Sequence, residues 1–306
     1  MGVCEIPNVL VEKIRKGECV LFLGAAIHAP PPEDSEFTWD EASRPFLADR
    51  LTKQLAEDSQ FLSRYPAKEF PWEYPLNLQR VSLFADSPDG GGRSALIDRL
   101  RRYVQQDKKP SPIVQALAQL PFKIIVTTNY DRVFESALTA AGKENFSRLI
   151  YNQKFNEATP DFEGDPTKEE PFVFKIHGDL SQRESIVITD EDYIRFVQRM
   201  ADKDGNHPVP LSIRYHMKRW PTLFLGYSLR VFNLRLLFRT LRWGTDEANW
   251  PLSFSVDRGP DPLIKQIWQN ERNIVLFVVE DLWAFVPALY EKIIGKPMPG
   301  TRAVAS

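Results

Sequence analysis

The chain uses one device four times: an apolar run that stops abruptly on small or polar residues. Val20-Leu21-Phe22-Leu23 runs into Gly24-Ala25-Ala26, and Ile124-Ile125-Val126 into Thr127-Thr128-Asn129-Tyr130-Asp131. Phe172-Val173-Phe174-Lys175-Ile176 runs into His177-Gly178-Asp179, and Leu223-Phe224-Leu225 into Gly226-Tyr227-Ser228. Short runs this rich in Val, Ile and Phe read as strands buried on both faces, the pattern of a parallel sheet covered by helices. Strands are predicted near 122–126, 148–151, 172–176, 185–188, 222–225, 252–256 and 274–279. Helices are predicted near 130–141, 190–201, 208–218, 229–242, 262–271 and 283–294. Before them come a short helix within 2–17 and helical patterns at about 40–58 and 93–106. The fold class is α/β: a Rossmann-like, mostly parallel sheet with helices on both faces and a helical insertion, about 37–116, after the first core strand. The whole of 1–306 is expected to be a single domain. In such sheets ligands bind beyond the carboxyl ends of the strands, near the point where strand order reverses. A Gly turn, an Asn, a His-Gly and a Gly-x-Ser brought to one edge would make a nucleotide site that carries chemistry.

Asp89-Gly90-Gly91-Gly92 precedes a helical pattern but follows no strand, so it reads as a mobile surface loop rather than a phosphate cradle. The stretch 156–170, rich in Asp, Glu, Pro and Gly, reads as a connection within the domain.

Composition narrows the function classes. A net charge of −2 over 306 residues offers no global attraction for nucleic acid or an anionic membrane. Direct nucleic-acid binding is therefore not expected, and the Arg99-Arg101-Arg102 and Lys218-Arg219 clusters read as solvated faces. No apolar run reaches membrane-spanning length and Met1-Gly2-Val3-Cys4-Glu5 has no signal-peptide pattern, so a cytoplasmic location is expected. Cys4 and Cys19 are the only cysteines, too few for a disulfide framework or a four-cysteine zinc site.

Taken in order, the four strand ends resemble the sirtuin superfamily, and more closely the divergent bacterial sirtuin-like domains that hydrolyse NAD in antiviral defence. The family's Gly-Ala-Gly-x-Ser turn corresponds to Gly24 through His28, and its Asn-Tyr-Asp segment to Asn129 through Asp131. Its His-Gly pair falls on His177 and Gly178, and its late Gly-x-Ser turn on Gly226 to Ser228. The resemblance runs from about Val20 to Asp281-Leu282-Trp283. Ala26 stands where the family has its second glycine, His28 where it has serine, and Val231 where many relatives have an acid. The methyl of Ala26 limits how closely backbone can approach a diphosphate. Deacylating sirtuins carry a zinc held by two Cys-x-x-Cys pairs. The cysteine count therefore favours the zinc-free bacterial branch, with NAD as substrate and no further cofactor.

The resemblance implies cleavage of the nicotinamide–ribose bond, which leaves positive charge on the ribose much as glycoside cleavage does. Gly24, Ala25 and Ala26 would present backbone amides to the diphosphate. Asn129 offers both an acceptor and a donor, enough to hold a water and a ribose hydroxyl together. His177 has an unperturbed pKa, about 6.5, suited to proton transfer near neutrality. Thr128 and Gly178 flank these groups, and Gly226 and Ser228 would line the second phosphate or the adenosine ribose. Each residue has a competing reading. Asn129 could be a helix N-cap, and His177 a core histidine bonded to a carbonyl. Asp131 either shapes the loop or tunes the site, Asp179 reads as a turn or capping residue, and His28 either faces the ligand or caps the proline loop.

The function expected is NAD hydrolysis by the effector subunit of an anti-phage complex that depletes NAD. The alternative is a catalytically silent NAD- or ADP-ribose-binding subunit. Because the motifs run from Val20 into the 280s, the trigger is expected to come from a separately encoded sensor or from homo-oligomer formation. The Arg235-Arg239-Arg242 face, with Trp220, Trp243 and Trp250 nearby, is the candidate contact.

Overall fold

A computed structural model of the chain describes residues 5–154, 157–202, 206–227, 229, 235, 238, 249–272 and 274–300. Seven strands form one sheet: β1 Val20–Leu23, β2 Ile124–Thr127, β3 Ser147–Ile150, β4 Phe172–Lys175, β5 Thr222–Leu225, β6 Ser253–Val256 and β7 Val275–Val278. Every pairing is parallel, in the order β3-β4-β2-β1-β5-β6-β7. The register decides where the site forms. Leu23 pairs with Thr127 and with Leu225, and Thr127 with Lys175, so four strands end level with one another. The residues that follow are delivered to one edge, and β1 lies at the reversal between β2 and β5.

Period-2 alternation sends the strand side chains to two cores. Leu21 and Leu23 pack with Leu10 and Ile14 of helix Asn8–Lys16, Ile113 and Leu117 of Pro112–Gln119, and Phe285 and Leu289 of Leu282–Ile294. Val20 and Phe22 face the other way, towards Phe196 of helix Asp190–Arg199, Ile213 of Leu211–Met217, and Trp268. Each fully buried Leu or Phe contributes roughly 1.5–3 kcal/mol. Two-sided burial is why these strands read as unbroken apolar runs.

A third core lies within the insertion. Leu51 and Leu55 of helix Ala48–Asp58, Val81 and Ala85 of Leu78–Asp86, and Leu96 and Leu100 of Gly92–Val104 pack together with Ile186 and Ile188. This layer lies over the carboxyl edge of the sheet. The helix Pro112–Gln119 belongs instead to the sheet layer.

Three expectations differ from the structure. The run 185–188 joins no sheet ladder; Ile186, Val187 and Ile188 are buried between insertion and sheet, and the Val187 amide bonds the His177 carbonyl. Residues 40–47 are not helical, because Asp40 draws Ser43 into a side-chain turn and Pro45 follows. Asp89-Gly90-Gly91-Gly92 is not a loose surface loop. Gly90 is buried where an added Cβ would lie 2.2 Å from the Phe84 carbonyl, which makes it a tight helix-to-helix corner.

Candidate active site

The turn after β1 and the turn after β5 press directly on one another. The Gly24 amide bonds the Leu225 carbonyl at 2.9 Å and the Ala26 amide bonds the Gly226 carbonyl at 3.1 Å. A Cβ on Gly24 would lie 2.5 Å from the Gly226 carbonyl oxygen, and one on Gly226 would lie 2.3 Å from the Ile27 amide nitrogen. Gly226 also has φ +73°, a conformation that side chains disfavour. Both glycines are thus required by contact between the turns. A correction follows for the amide cradle: the Gly24 and Ala26 amides are spent on this contact. Ala25, first residue of the 3-10 turn Ala25–His28, keeps an amide with no partner among the described residues.

After β2 the chain turns tightly. The Thr127 hydroxyl bonds the Leu23 carbonyl at 3.1 Å and receives the Asn129 amide at 3.1 Å. The following helix is Val133–Ala140, and Asp131, not Asn129, accepts the Val133 amide at 2.9 Å. The N-cap reading of Asn129 therefore fails. Its Nδ2 lies 3.4 Å from the Gly24 carbonyl and 3.3 Å from His28 Nε2, while its Oδ1 is buried with no partner among the described residues. His28 Nε2 also lies 3.5 Å from Asp131 Oδ2, and Nδ1 of the same ring is buried with no partner among the described residues. Burial opposes ionisation of Asp131, but His28 and then Lys175 outweigh it and hold this carboxyl below its ordinary pKa.

After β4, His177 stands between the edges of Tyr193 and Phe196, at ring-centroid distances of 5.4 and 5.1 Å. Burial alone pushes its pKa down to about 3, so the imidazole is neutral near pH 7 and does not keep the value of a free histidine. Gly178, at φ +90°, packs where a Cβ would lie 2.2 Å from the Ser185 carbonyl. It shapes the turn without lining the cavity.

These turns and the insertion enclose a cavity of about 430 Å³. Ala25, Ala26, His28, Thr128, Asn129, Asp131, His177 and Gly226 line it, so eight of the residues expected from the sequence meet in one place. Its roof comes from the insertion, through Phe46, Leu47 and Leu78 among others. Gly24 contributes its carbonyl from behind Asn129. Ser228 lies outside the described residues, as do Val231, Arg239, Arg242 and Trp243. Arg235 donates to the Leu229 carbonyl at 2.9 Å, Trp220 packs against His216 with the rings tilted by 39°, and Trp250 packs against Phe238, so these three are engaged within the chain. A smaller cavity of about 180 Å³ shares Ala26, Gly226 and Tyr227 and continues towards Asp257, Asp281 and Trp283.

Sequence reasoning missed the supports. Tyr227 donates to the Thr128 hydroxyl and so fixes it, and Tyr193 and Gln79 complete the wall. Beneath the Asn129 loop is a buried ion cluster. Lys175, 0% exposed, lies 3.1 Å from Glu135 Oε1 and 3.7 Å from Asp179 Oδ2, and it donates to the Asp131 carbonyl. Asp179 also accepts from Arg132 and from the Ser181 amide at 2.8 Å, as its turn-residue reading expects. Lys175 was visible only as a charge inside an apolar strand, where an unpaired lysine would be costly.

A family model described as a SIR2-like domain matches residues 123–277. The chain is 26% identical over 235 residues to the NAD(+) hydrolase ThsA of Acinetobacter baumannii, an alignment covering 76% of this chain and 41% of that protein. It is 27% identical over 240 residues to the NAD(+) hydrolase ThsA of Enterococcus faecium, covering 78% and 43% respectively. It is 25% identical over 264 residues to Defense-associated sirtuin 2 of Bacillus subtilis, covering 85% and 23%. The chain therefore spans less than half the length of each of these relatives. The family match takes in β2 through most of β7, including the Asn129 and His177 turns and the strand before Gly226, and on that ground the chain belongs to the SIR2-like family.

Proposed function

We propose that this chain hydrolyses NAD to nicotinamide and ADP-ribose. One observation carries the reading: Asn129 and His177, from the ends of two neighbouring strands, line the same cavity at the reversal point of a parallel sheet. The volume suits part of a dinucleotide. The larger cavity takes the nicotinamide ribose and the smaller one the adenosine end, with the diphosphate between them near the Ala25 amide. Asn129 Oδ1, buried and without a partner among the described residues, accepts from a ribose hydroxyl or a water. His177 acts as a neutral hydrogen-bonding partner of the ribose. The apolar roof keeps bulk water from the cationic sugar.

Relatives named as NAD hydrolases and as a defence-associated sirtuin support a role in defence. In this reading the chain is the effector of an anti-phage complex that depletes NAD. NAD is then the substrate, and no other cofactor and no zinc is required. A partner protein or self-assembly controls turnover, and the site of action is the cytoplasm. Among the described residues, no helix is long and apolar enough to cross a membrane.

A second reading, binding without turnover, is favoured by the engaged Gly24 and Ala26 amides, which leave a poorer diphosphate cradle. Chromatography of NAD incubated with the purified protein separates the two. Hydrolysis predicts nicotinamide and ADP-ribose in equal amounts, with roughly 10²–10⁴-fold slower release in Asn129→Ala and His177→Ala. NAD recovered intact from a protein that binds it would support the second reading instead.

A further inference from the structure

We propose that Arg93, in the first turn of the helix Gly92–Val104, is a positioning residue for NAD cleavage. It clamps a strap, residues 186–192, to which both site turns are bonded. The role rests on the NAD-cleavage reading above and gives the helical insertion a part in it.

The strap is the buried run Ile186 to Ile188 together with the start of helix Asp190–Arg199. Its residue Val187 reaches both turns. The Val187 amide donates to the His177 carbonyl at 3.0 Å. The Val187 carbonyl accepts the hydroxyl of Tyr130, the neighbour of Asn129, at 2.8 Å. Further along, Tyr193 and Phe196 bring their rings against His177. The placement of His177 relative to Asn129 therefore depends on this segment as well as on strand register.

Arg93 holds the strap on both sides of Val187. Its Nη2 donates to the Ile186 carbonyl at 2.6 Å and its Nη1 to Asp192 Oδ2 at 2.9 Å. The same carboxylate oxygen accepts the Ile188 and Thr189 amides, both at 3.1 Å, and Asp192 closes the capping box that starts its helix. Gln153 shares the Ile186 carbonyl at 2.9 Å, but Arg93 is the one cation on Asp192 among the described residues. Nη1 also lies 3.4 Å from Asp86, so the guanidinium ties the strap to the insertion. Both ends of the main pair are sheltered, Arg93 being 18% and Asp192 7% exposed at the side chain. Such pairs add little net stability over apolar packing, which the insertion already has. What a planar guanidinium adds is direction, two acceptors fixed by one rigid fork. Arg93 does not line the larger cavity, so its effect on chemistry passes through the strap.

The same helix supplies a matched control. Arg99 donates to the Gly90 and Asp58 carbonyls at 2.8 and 3.1 Å, both within the insertion. The test compares wild type, Arg93→Met, Arg93→Lys and Arg99→Met in the assembly that turns over NAD, below the melting range of each. Two quantities are measured: kcat and KM for nicotinamide release, and hydrogen exchange over peptides spanning 185–189. A displacement of about 1 Å at a reacting group costs about 10²-fold in rate. Arg93→Met is expected to lower kcat by about 10- to 100-fold with KM within about threefold, and to speed exchange across the strap. The ammonium of Arg93→Lys can hold Asp192 or the Ile186 carbonyl but not both, and kcat should fall at least about fivefold. That variant carries the test should Arg93→Met fail to fold. Arg99→Met should melt earlier while keeping wild-type kcat and strap exchange. A kcat within about threefold of wild type in the folded Arg93 variants, unchanged strap exchange, or an equal loss in Arg99→Met overturns the role and leaves NAD cleavage standing. A wild type that releases no nicotinamide in any assembly overturns the cleavage reading and this role together.

Discussion

Replacing Lys175 by methionine removes one charge from a cluster with almost no contact with water. Lys175 is wholly buried, its ammonium 3.1 Å from Glu135 and 3.7 Å from Asp179, and it also donates to the Asp131 carbonyl. Asp179 keeps Arg132, so its charge stays compensated after the substitution. Glu135, 5% exposed, loses its ammonium partner. Breaking a buried pair from one side costs about 3–5 kcal/mol, and the surviving Arg132 bond places this case near the lower end. With an unfolding entropy of roughly 2.1 cal/mol/K per residue, a chain of this length loses about 5–8 °C in Tm for that cost. Calorimetry at pH 7 reads the shift directly. The double variant Lys175→Met/Glu135→Leu should recover much of the loss, because it removes the stranded carboxylate as well. Since the ammonium also holds the Asp131 carbonyl, NAD turnover should fall in the single variant even below its melting range. A Tm within about 1 °C of wild type would refute the view that this cluster supports the Asn129 loop.

Three further outcomes follow from the geometry. His177 has a folded-state pKa of about 3 against an ordinary 6.5, so the stability of its neutral form is fully present above about pH 6.5 and is lost as pH falls towards 3. Replacing it in His177→Gln should flatten the fall in stability between pH 6.5 and 5 by up to about 2 kcal/mol in denaturant titrations; an unchanged slope would contradict the neutral assignment. Gly226→Ala should destabilise the chain and weaken NAD binding, because its Cβ would meet Ile27 N at 2.3 Å in a φ +73° conformation. The cost of at least about 1–3 kcal/mol is readable by urea unfolding, and an unperturbed variant would show that the two turns do not touch. Ala26→Gly should leave NAD affinity unchanged or raise it in calorimetric titration of a catalytically dead variant, since the Ala26 amide already bonds Gly226; a clear loss of affinity would give the methyl a binding role.

Much of the sheet was legible because its strands are buried on both faces. Val20–Leu23, 124–126, 172–175 and 222–225 stand out as apolar runs, and their abrupt polar ends marked the functional edge. Ile186 to Ile188 shows the limit of that signal. The run is as apolar as a strand, yet its burial comes from the insertion, and nothing local separates the two environments. The helix Leu78–Asp86 was missed although its N-cap was visible: Asn77 accepts the Gln79 and Arg80 amides. The preceding Phe70-Pro71-Trp72-Glu73-Tyr74-Pro75, aromatic and rich in proline, hid it.

In the site, Asn129 and His177 could be named individually, but their meeting depends on level strand ends, a long-range property of register. The same holds for Tyr227 on Thr128 and Lys175 on Glu135. The amide cradle was misjudged because hydrogen bonds from the turn after β1 to that after β5 leave no trace near Gly24 in sequence. The free-histidine pKa failed at His177 because the desolvating rings come from helix Asp190–Arg199.

The most direct measurement is a crystal structure of the His177→Ala protein with NAD bound. The account predicts the nicotinamide ribose in the larger cavity, a hydroxyl or water within hydrogen-bond distance of Asn129 Oδ1, the vacated His177 position beside that ribose, and the adenosine end beyond Gly226 towards Asp281. Well-ordered NAD elsewhere on the molecule, or in this cavity with its ribose turned away from both Asn129 and residue 177, would contradict it.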